Sequence, residues 1–221
     1  MSDTILLDID GTLVDSTYHH AIAWHRAFHR NDVDLPLWRI HRTIGMGGDR
    51  LVADVAGRDV EDKCGDAVRD AWREEYAELK AEVRPMPGAA DLVRKLAGTY
   101  TVALASSGDP EFSAEALELL GVKDEITLLT TSENADESKP HPDLLGVTLD
   151  KVGGDRAVLV GDTVYDVESA ARAGLRCIAV RCGGYGEAEL VEAGAALVVD
   201  GPADLVDIDW EPHLQPTGRT S

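Results

Sequence analysis

Short apolar runs alternate with longer amphipathic stretches over most of this chain. The runs at 4–7, 100–105, 126–129, 157–160, 176–180 and 196–199 are rich in Val, Ile, Leu and Ala, with little polar alternation. That pattern predicts strands buried on both faces. Between them, 89–96, 111–120, 143–151, 164–173 and 187–193 read as helices, and Gly98, Gly121, Gly153, Gly174 and Gly194 sit where such helices stop. Alternation of this kind predicts an α/β fold, a doubly wound parallel sheet with helices on both faces.

One region breaks the rhythm. Residues 15–84 hold no strand-like run and read as helices at about 17–30, 36–43, 49–56 and 60–81. A crossover between parallel strands needs only about a dozen residues. The excess predicts a helical domain, 15–84, inserted into a core domain formed by 1–14 and 85–209. Pro85, Pro87 and Gly88 mark the return to the core. The remaining 210–221 have little apolar content and are expected to form a flexible tail.

Composition narrows the partners. The chain has 221 residues, a formal net charge of -20 and 44% hydrophobic residues. Such acidity argues against nucleic acid and anionic membranes, which reward Lys and Arg. No run is long and apolar enough to span a bilayer, and no signal-peptide pattern opens the chain, so a cytoplasmic protein is expected. Cys64, Cys177 and Cys182 form no C-x-x-C pair and receive no catalytic role. Oligomeric state is not legible.

Candidate chemistry collects at the C-terminal ends of predicted strands, the edge where open α/β sheets bind ligands. The first strand ends in Asp8-Ile9-Asp10-Gly11-Thr12. Strand periodicity turns both carboxylates to one side. Two anions so close call for a cation, and Mg²⁺ suits carboxylate oxygens. Gly11 lets backbone N–H groups approach an anion. Ser106-Ser107-Gly108 follows the second strand and can offer a hydroxyl and N–H groups to a phosphoryl oxygen. Lys139 lies on a segment stiffened by Pro140 and Pro142, in a chain with only 6 lysines. A fixed ammonium is what a phosphate facing carboxylates requires. Finally, Gly161-Asp162-Thr163-Val164-Tyr165-Asp166 runs from a strand into a helix. It offers Asp162 as a further metal carboxylate and Asp166 as its support. Any of these alone reads equally well as a turn, a helix cap or a solvated charge.

Together, and in this order, the four motifs resemble those of the haloacid-dehalogenase-like (HAD) hydrolase superfamily, in its helical-cap subfamily that holds phosphoglycolate phosphatases and β-phosphoglucomutases. The resemblance spans about 4–204. It implies a Rossmann-like core with a helical cap at 15–84. It implies Asp8 as the nucleophile that becomes aspartyl-phosphate and Asp10 as general acid and base. Mg²⁺ would be held by Asp8, the Asp10 backbone carbonyl and Asp162, with Asp166 behind them. Ser106 and Lys139 would bind the phosphoryl group, and Gly11 and Ser107 would give it backbone N–H groups. An acid/base Asp at position 10 separates phosphatases from true dehalogenases of this fold.

His20 and Trp24, four residues apart, share a helix face just beyond the hinge, and His20 is a possible substrate contact from the cap. The His-x-x-Ala-Trp run also resembles the mutase branch. The later loop, 43–50, lacks the basic pattern that branch uses for a second phosphate, unless Arg42 or Arg50 substitutes. The leading expectation is therefore a Mg²⁺-dependent phosphatase acting on a small phosphorylated metabolite, similar to phosphoglycolate phosphatase. A sugar-phosphate mutase stands second, and a non-catalytic metabolite-binding protein third.

Overall fold

In a computed structural model, which describes residues 3–134 and 137–217, the central strand is the first one, β1 (Thr4–Leu7). It pairs in parallel with β2 (Thr101–Ala105) on one side and β4 (Arg156–Gly161) on the other. Outside β2 lies β3 (Leu128–Thr130), and outside β4 lie β5 (Arg176–Val180) and β6 (Leu197–Val199). The order is β3-β2-β1-β4-β5-β6, all parallel, so chain direction across the sheet reverses at β1. All four residues of β1 are buried, because helices cover both faces. One apolar cluster packs Ile5, Leu7, Val102 and Val158 against Leu92, Val93 and Leu96 of α5 (Ala89–Ala97). The opposite cluster packs Leu6, Ala103 and Leu159 against α7 (Asp143–Val152) and α8 (Val164–Arg172). The expected doubly wound α/β fold is present.

Between β1 and α5 stand α1 (Thr17–Arg30), α2 (Leu37–His41), α3 (Gly48–Ala56) and α4 (Arg58–Leu79). They enclose their own core, with Trp24, Phe28, Ile40, Leu51, Val52 and Val68 buried together. The helix α4 is kinked at Cys64 (φ −150°, ψ 16°). A smaller cluster of Ala23, Tyr76 and Phe112 joins this helical lobe to α6 (Pro110–Leu120) of the sheet region.

Polar contacts clamp the lobe on both sides of the sheet edge. On one, Tyr165 and Tyr185 each donate to the Arg42 carbonyl at 2.7 and 2.8 Å, and Arg42 pairs with Glu189. On the other, the Gly47 N–H donates to Ser138 Oγ at 3.0 Å, and Arg50 pairs with Glu137.

The C-terminal segment departs from expectation. Residues 210–217 do not form a flexible tail; 218–221 lie outside the described residues. Trp210 and Leu214, each 5% exposed, close the main apolar cluster. Beyond them β7 (Gln215–Pro216) pairs antiparallel with the start of β4. Arg156 binds both Asp3 and Glu211, tying the segment to the N-terminus. Two isolated apolar residues among polar ones carry no periodic signal, yet each fills a gap at the sheet's end. Trp210→Ala is expected to lower unfolding free energy by about 3 kcal/mol in urea titration; a loss below about 1 kcal/mol would show that the segment packs without stabilising.

Candidate active site

The C-terminal ends of β1, β2 and β4 meet at one edge, and each delivers a polar group there. Asp8 follows β1, its backbone N–H held by the Val160 carbonyl of β4 at 2.9 Å. Ser106 and Ser107 follow β2, Asp162 follows β4, and Lys139 comes from the segment before α7. Lys139 donates to Asp8 Oδ1 at 2.5 Å and pairs with Asp166 Oδ1 at 2.8 Å. The ammonium thus sits between two carboxylates and is 1% exposed. Carboxylate oxygens of Asp8, Asp162 and Asp166 all lie within 4.8 Å of one another.

Asp166 is fixed from behind by its place in the first turn of α8. Its Oδ2 accepts from the Thr163 N–H at 3.1 Å and the Thr163 hydroxyl at 2.6 Å, in a capping box. Asp162 Oδ1 accepts from the Thr12 hydroxyl at 3.0 Å, but its Oδ2 is buried with no hydrogen-bond partner among the described residues. That oxygen faces Gly11 and Gly183, where a Cβ would overlap it. Burial pushes the Asp8 carboxyl up to about 7 against the pull of Lys139, with Asp166 adding repulsion. Burial and the same neighbour raise Asp162 well above the carboxylate range. Lys139 is raised despite its burial, because Asp166 and Asp8 hold it charged. Three carboxylates against one ammonium, with a buried oxygen unpartnered, fit a divalent cation with hard oxygen ligands. This cluster could hold a metal ion.

Asp10 faces a different set of partners. The Ser16 hydroxyl donates to its Oδ1 at 2.6 Å, and His20 Nε2 lies 3.0 Å from the same oxygen. Burial alone would raise the Asp10 carboxyl, but His20 and Ser16 overcome it and hold it below the usual range. His20 stacks face to face on Tyr76 of α4, with ring centroids 3.9 Å apart. The residue read as a possible substrate contact thus reaches the acid/base candidate directly and also lines the cavity.

Ser106 and Ser107 both line that cavity. The Ser107 hydroxyl also accepts from the Lys139 backbone N–H at 3.3 Å, which helps to place the ammonium. Gly11 corrects an expectation. Its N–H donates to the Val14 carbonyl at 2.8 Å inside the turn, so it is not free for a phosphate. Gly11 is needed for its φ of 77° and for the space it leaves beside Asp162 and Thr17.

A cavity of about 610 Å³ opens above Asp8 and Asp10 and extends to the helical lobe. Its far wall includes Trp24, Arg69, Trp72 and Arg73, and sequence reading gave none of the last three a role. Their signal was the spacing along α4, where 69, 72, 73 and 76 share one face. Arg42 and Arg50, the candidates for a second phosphate, do not line the cavity; they pair with Glu189 and Glu137. Among the described residues, no helix is long and apolar enough to cross a membrane.

Comparison with known proteins agrees with this geometry. A phosphoglycolate phosphatase of Rhodospirillum rubrum is 31% identical over 230 residues, covering 99% of this chain and 94% of that protein. A validoxylamine A 7'-phosphate phosphatase of Streptomyces hygroscopicus subsp. limoneus is 26% identical, covering 98% of this chain and 100% of its own. The crystal structure of a hydrolase from Pseudomonas syringae superimposes with a TM-score of 0.88 at 29% identity, over 93% of this chain and 96% of that one. The sequence profile of the haloacid dehalogenase-like hydrolases matches residues 5–180. With strand order, buried carboxylates and sequence in agreement, the chain belongs to the haloacid dehalogenase-like hydrolase family.

Proposed function

We propose that this protein is a Mg²⁺-dependent phosphatase that hydrolyses a small phosphorylated metabolite through an aspartyl-phosphate. The observation that carries the reading is the Asp8 carboxylate at the cavity floor, with Lys139 at 2.5 Å and Asp162 and Asp166 beside it. Relatives named as phosphatases over nearly the whole chain support it.

In the first half-reaction an Asp8 oxygen attacks phosphorus, the bond from phosphorus to the ester oxygen breaks, and Asp10 gives that oxygen a proton. In the second, Asp10 takes a proton from water as the water attacks phosphorus, and the bond to Asp8 breaks to release phosphate. Lys139 and the Ser106 hydroxyl bind the transferring group, and Lys139 offsets the charge of Asp8. Held by Asp8 and Asp162, with Asp166 adjacent, Mg²⁺ would supply the charge that neutralises the phosphoryl oxygens. The helical lobe, 15–84, acts as a cap that closes water out and reads the rest of the substrate. A mutase must hold a second phosphate, and the engagement of Arg42 and Arg50 elsewhere favours hydrolysis.

Phosphate release from small esters should require Mg²⁺, stop with chelator, and fall by about a thousandfold or more in Asp8→Asn. Retained turnover in that variant, with its circular dichroism unchanged, would falsify the mechanism.

A second expectation concerns pH. Without metal, folded Asp8 keeps its proton up to about 7, whereas an unfolded chain releases it near 3.8. The folded state then binds more protons, so metal-free stability falls as pH rises through that window, while the contribution of raised Lys139 stays constant there. Mg²⁺ requires the ionised carboxylates, so its increase of Tm should be larger at pH 8 than at pH 5.5, and Asp162→Asn should reduce it. Equal increases at both pH values would contradict metal binding by these groups.

The third concerns His20, which favours ionised Asp10. His20→Ala should raise the Asp10 pKa and, because the first half-reaction needs Asp10 protonated, move the basic limb of the kcat/KM profile to higher pH. An unmoved limb would separate His20 from the acid/base step.

A further inference from the structure

The cavity is far larger than its floor needs. Its volume, about 610 Å³, lies within the range of about 300–1,000 Å³ typical of pockets for drug-sized ligands. A two-carbon phosphate ester would leave most of it to water. The space beyond the floor has a definite chemical character. Trp72 is only partly buried and lines it; Trp24 stacks on Trp72 at 5.0 Å and 16°, His20 and Tyr76 lie nearly parallel to it at 5.8 and 6.0 Å, and Phe112 stands perpendicular to it at 5.9 Å and 83°. The indole is therefore a supported flat surface.

On either side of Trp72 stand Arg69 and Arg73, which look like receptors for a second anion. Both are already engaged. Arg69 donates to both Glu61 oxygens at 3.0 and 2.7 Å and to Asp66 at 2.8 Å, and also to the Gly48 carbonyl. Arg73 pairs with Asp109 and with Glu111. Asp49 and Asp70 line the same region. Two guanidinium groups therefore stand among six carboxylates, and a second phosphate or a carboxylate on the substrate would meet net negative charge. Hydroxyl groups would meet acceptors, because ionised carboxylates only accept hydrogen bonds.

From this we infer that the substrate is the monophosphate of a ring polyol, a sugar or cyclitol without a second anionic group, its apolar ring face on Trp72 and its hydroxyls toward Asp49 and Asp70. The inference rests on the phosphatase reading and sharpens it. A flat apolar surface flanked by acceptors matches a six-membered polyol, whose C–H face is apolar and whose rim is all hydroxyl. Asp49 and Asp70 are exposed at the cavity's far end, so they can accept from hydroxyls of a ring that reaches past Trp72.

The test is the substrate ranking of the wild-type Mg²⁺ enzyme. Phosphate release would be followed for glucose 6-phosphate, an inositol monophosphate, 2-phosphoglycolate, fructose 1,6-bisphosphate and acetyl phosphate. The ring monophosphates are expected to exceed phosphoglycolate and the bisphosphate by about tenfold or more in kcat/KM, mainly through KM. Trp72→Ala should lower the ratio of ring monophosphate to acetyl phosphate turnover by about tenfold, and Trp72→Phe should restore most of it. If Trp72→Ala does not fold, the wild-type ranking alone decides. Phosphoglycolate or the bisphosphate ranking level with the ring monophosphates or above them would overturn the inference and leave the phosphatase reading intact. Turnover of acetyl phosphate with no ring ester hydrolysed would do the same. No phosphate from any ester, acetyl phosphate included, would overturn both.

Discussion

Lys139 is held between Asp8 and Asp166 with almost no water around it, and the carboxyl edge of the sheet is organised about that contact. Burying an ammonium is costly unless carboxylates and hydrogen bonds surround it. Here the carboxylates outnumber it, since Asp162 joins the other two within 4.8 Å. The surplus falls on Asp162 Oδ2, which no described donor reaches. A protein can resolve such a surplus with protons or with a cation, and the raised pKa of Asp8 expresses the first option. The close approach of Gly11 and Gly183 to that oxygen leaves room for the second. In the proposed reaction a cation among these carboxylates, together with Lys139, would receive the doubly negative phosphoryl group.

Asp10, the proposed acid/base residue, is placed differently, and the placement links it to the lobe. Asp10 extends from the sheet, yet the groups that depress its pKa are Ser16, which precedes α1, and His20 on α1. His20 is in turn stacked on Tyr76 of α4. The protonation of Asp10 therefore depends on how the lobe sits. The clamps through Arg42, Gly47 and Arg50 set that position from both sides.

A net charge of -20 poses a problem for an enzyme with an anionic substrate. The lobe's arginines do not solve it. Arg26 and Arg30 pair with Glu74 and Glu75, and Arg69 and Arg73 with four further acids. Lys139 brings an ammonium to the edge at Asp8, where the proposed reaction takes place, while the cavity's far end stays acidic. Attraction is local to the floor, which is consistent with a substrate charged at one end.

The parallel sheet and the residues at the ends of its strands were legible in the chain itself, because both follow from local rules. Unbroken apolar runs mark strands buried on both faces, and parallel strands bring all their C-terminal ends to one edge. Asp8, Asp10, Lys139 and Asp162 could thus be grouped, although Lys139 and Asp8 lie 131 positions apart. What the chain did not disclose were contacts with no local signal. Trp210 and Leu214 look like stray apolar residues until the sheet presents gaps for them. The Gly11 N–H looks available until the turn hands it Val14. Arg69 and Arg73 look like anion receptors until α4 meets Asp109 and Glu111 and folds back on Glu61. The sequence by itself determined which groups stand at the sheet edge, since that depends on periodicity along the chain. Only the tertiary structure decided which charges are already neutralised, because pairing depends on distances of a few ångströms between segments that periodicity cannot place.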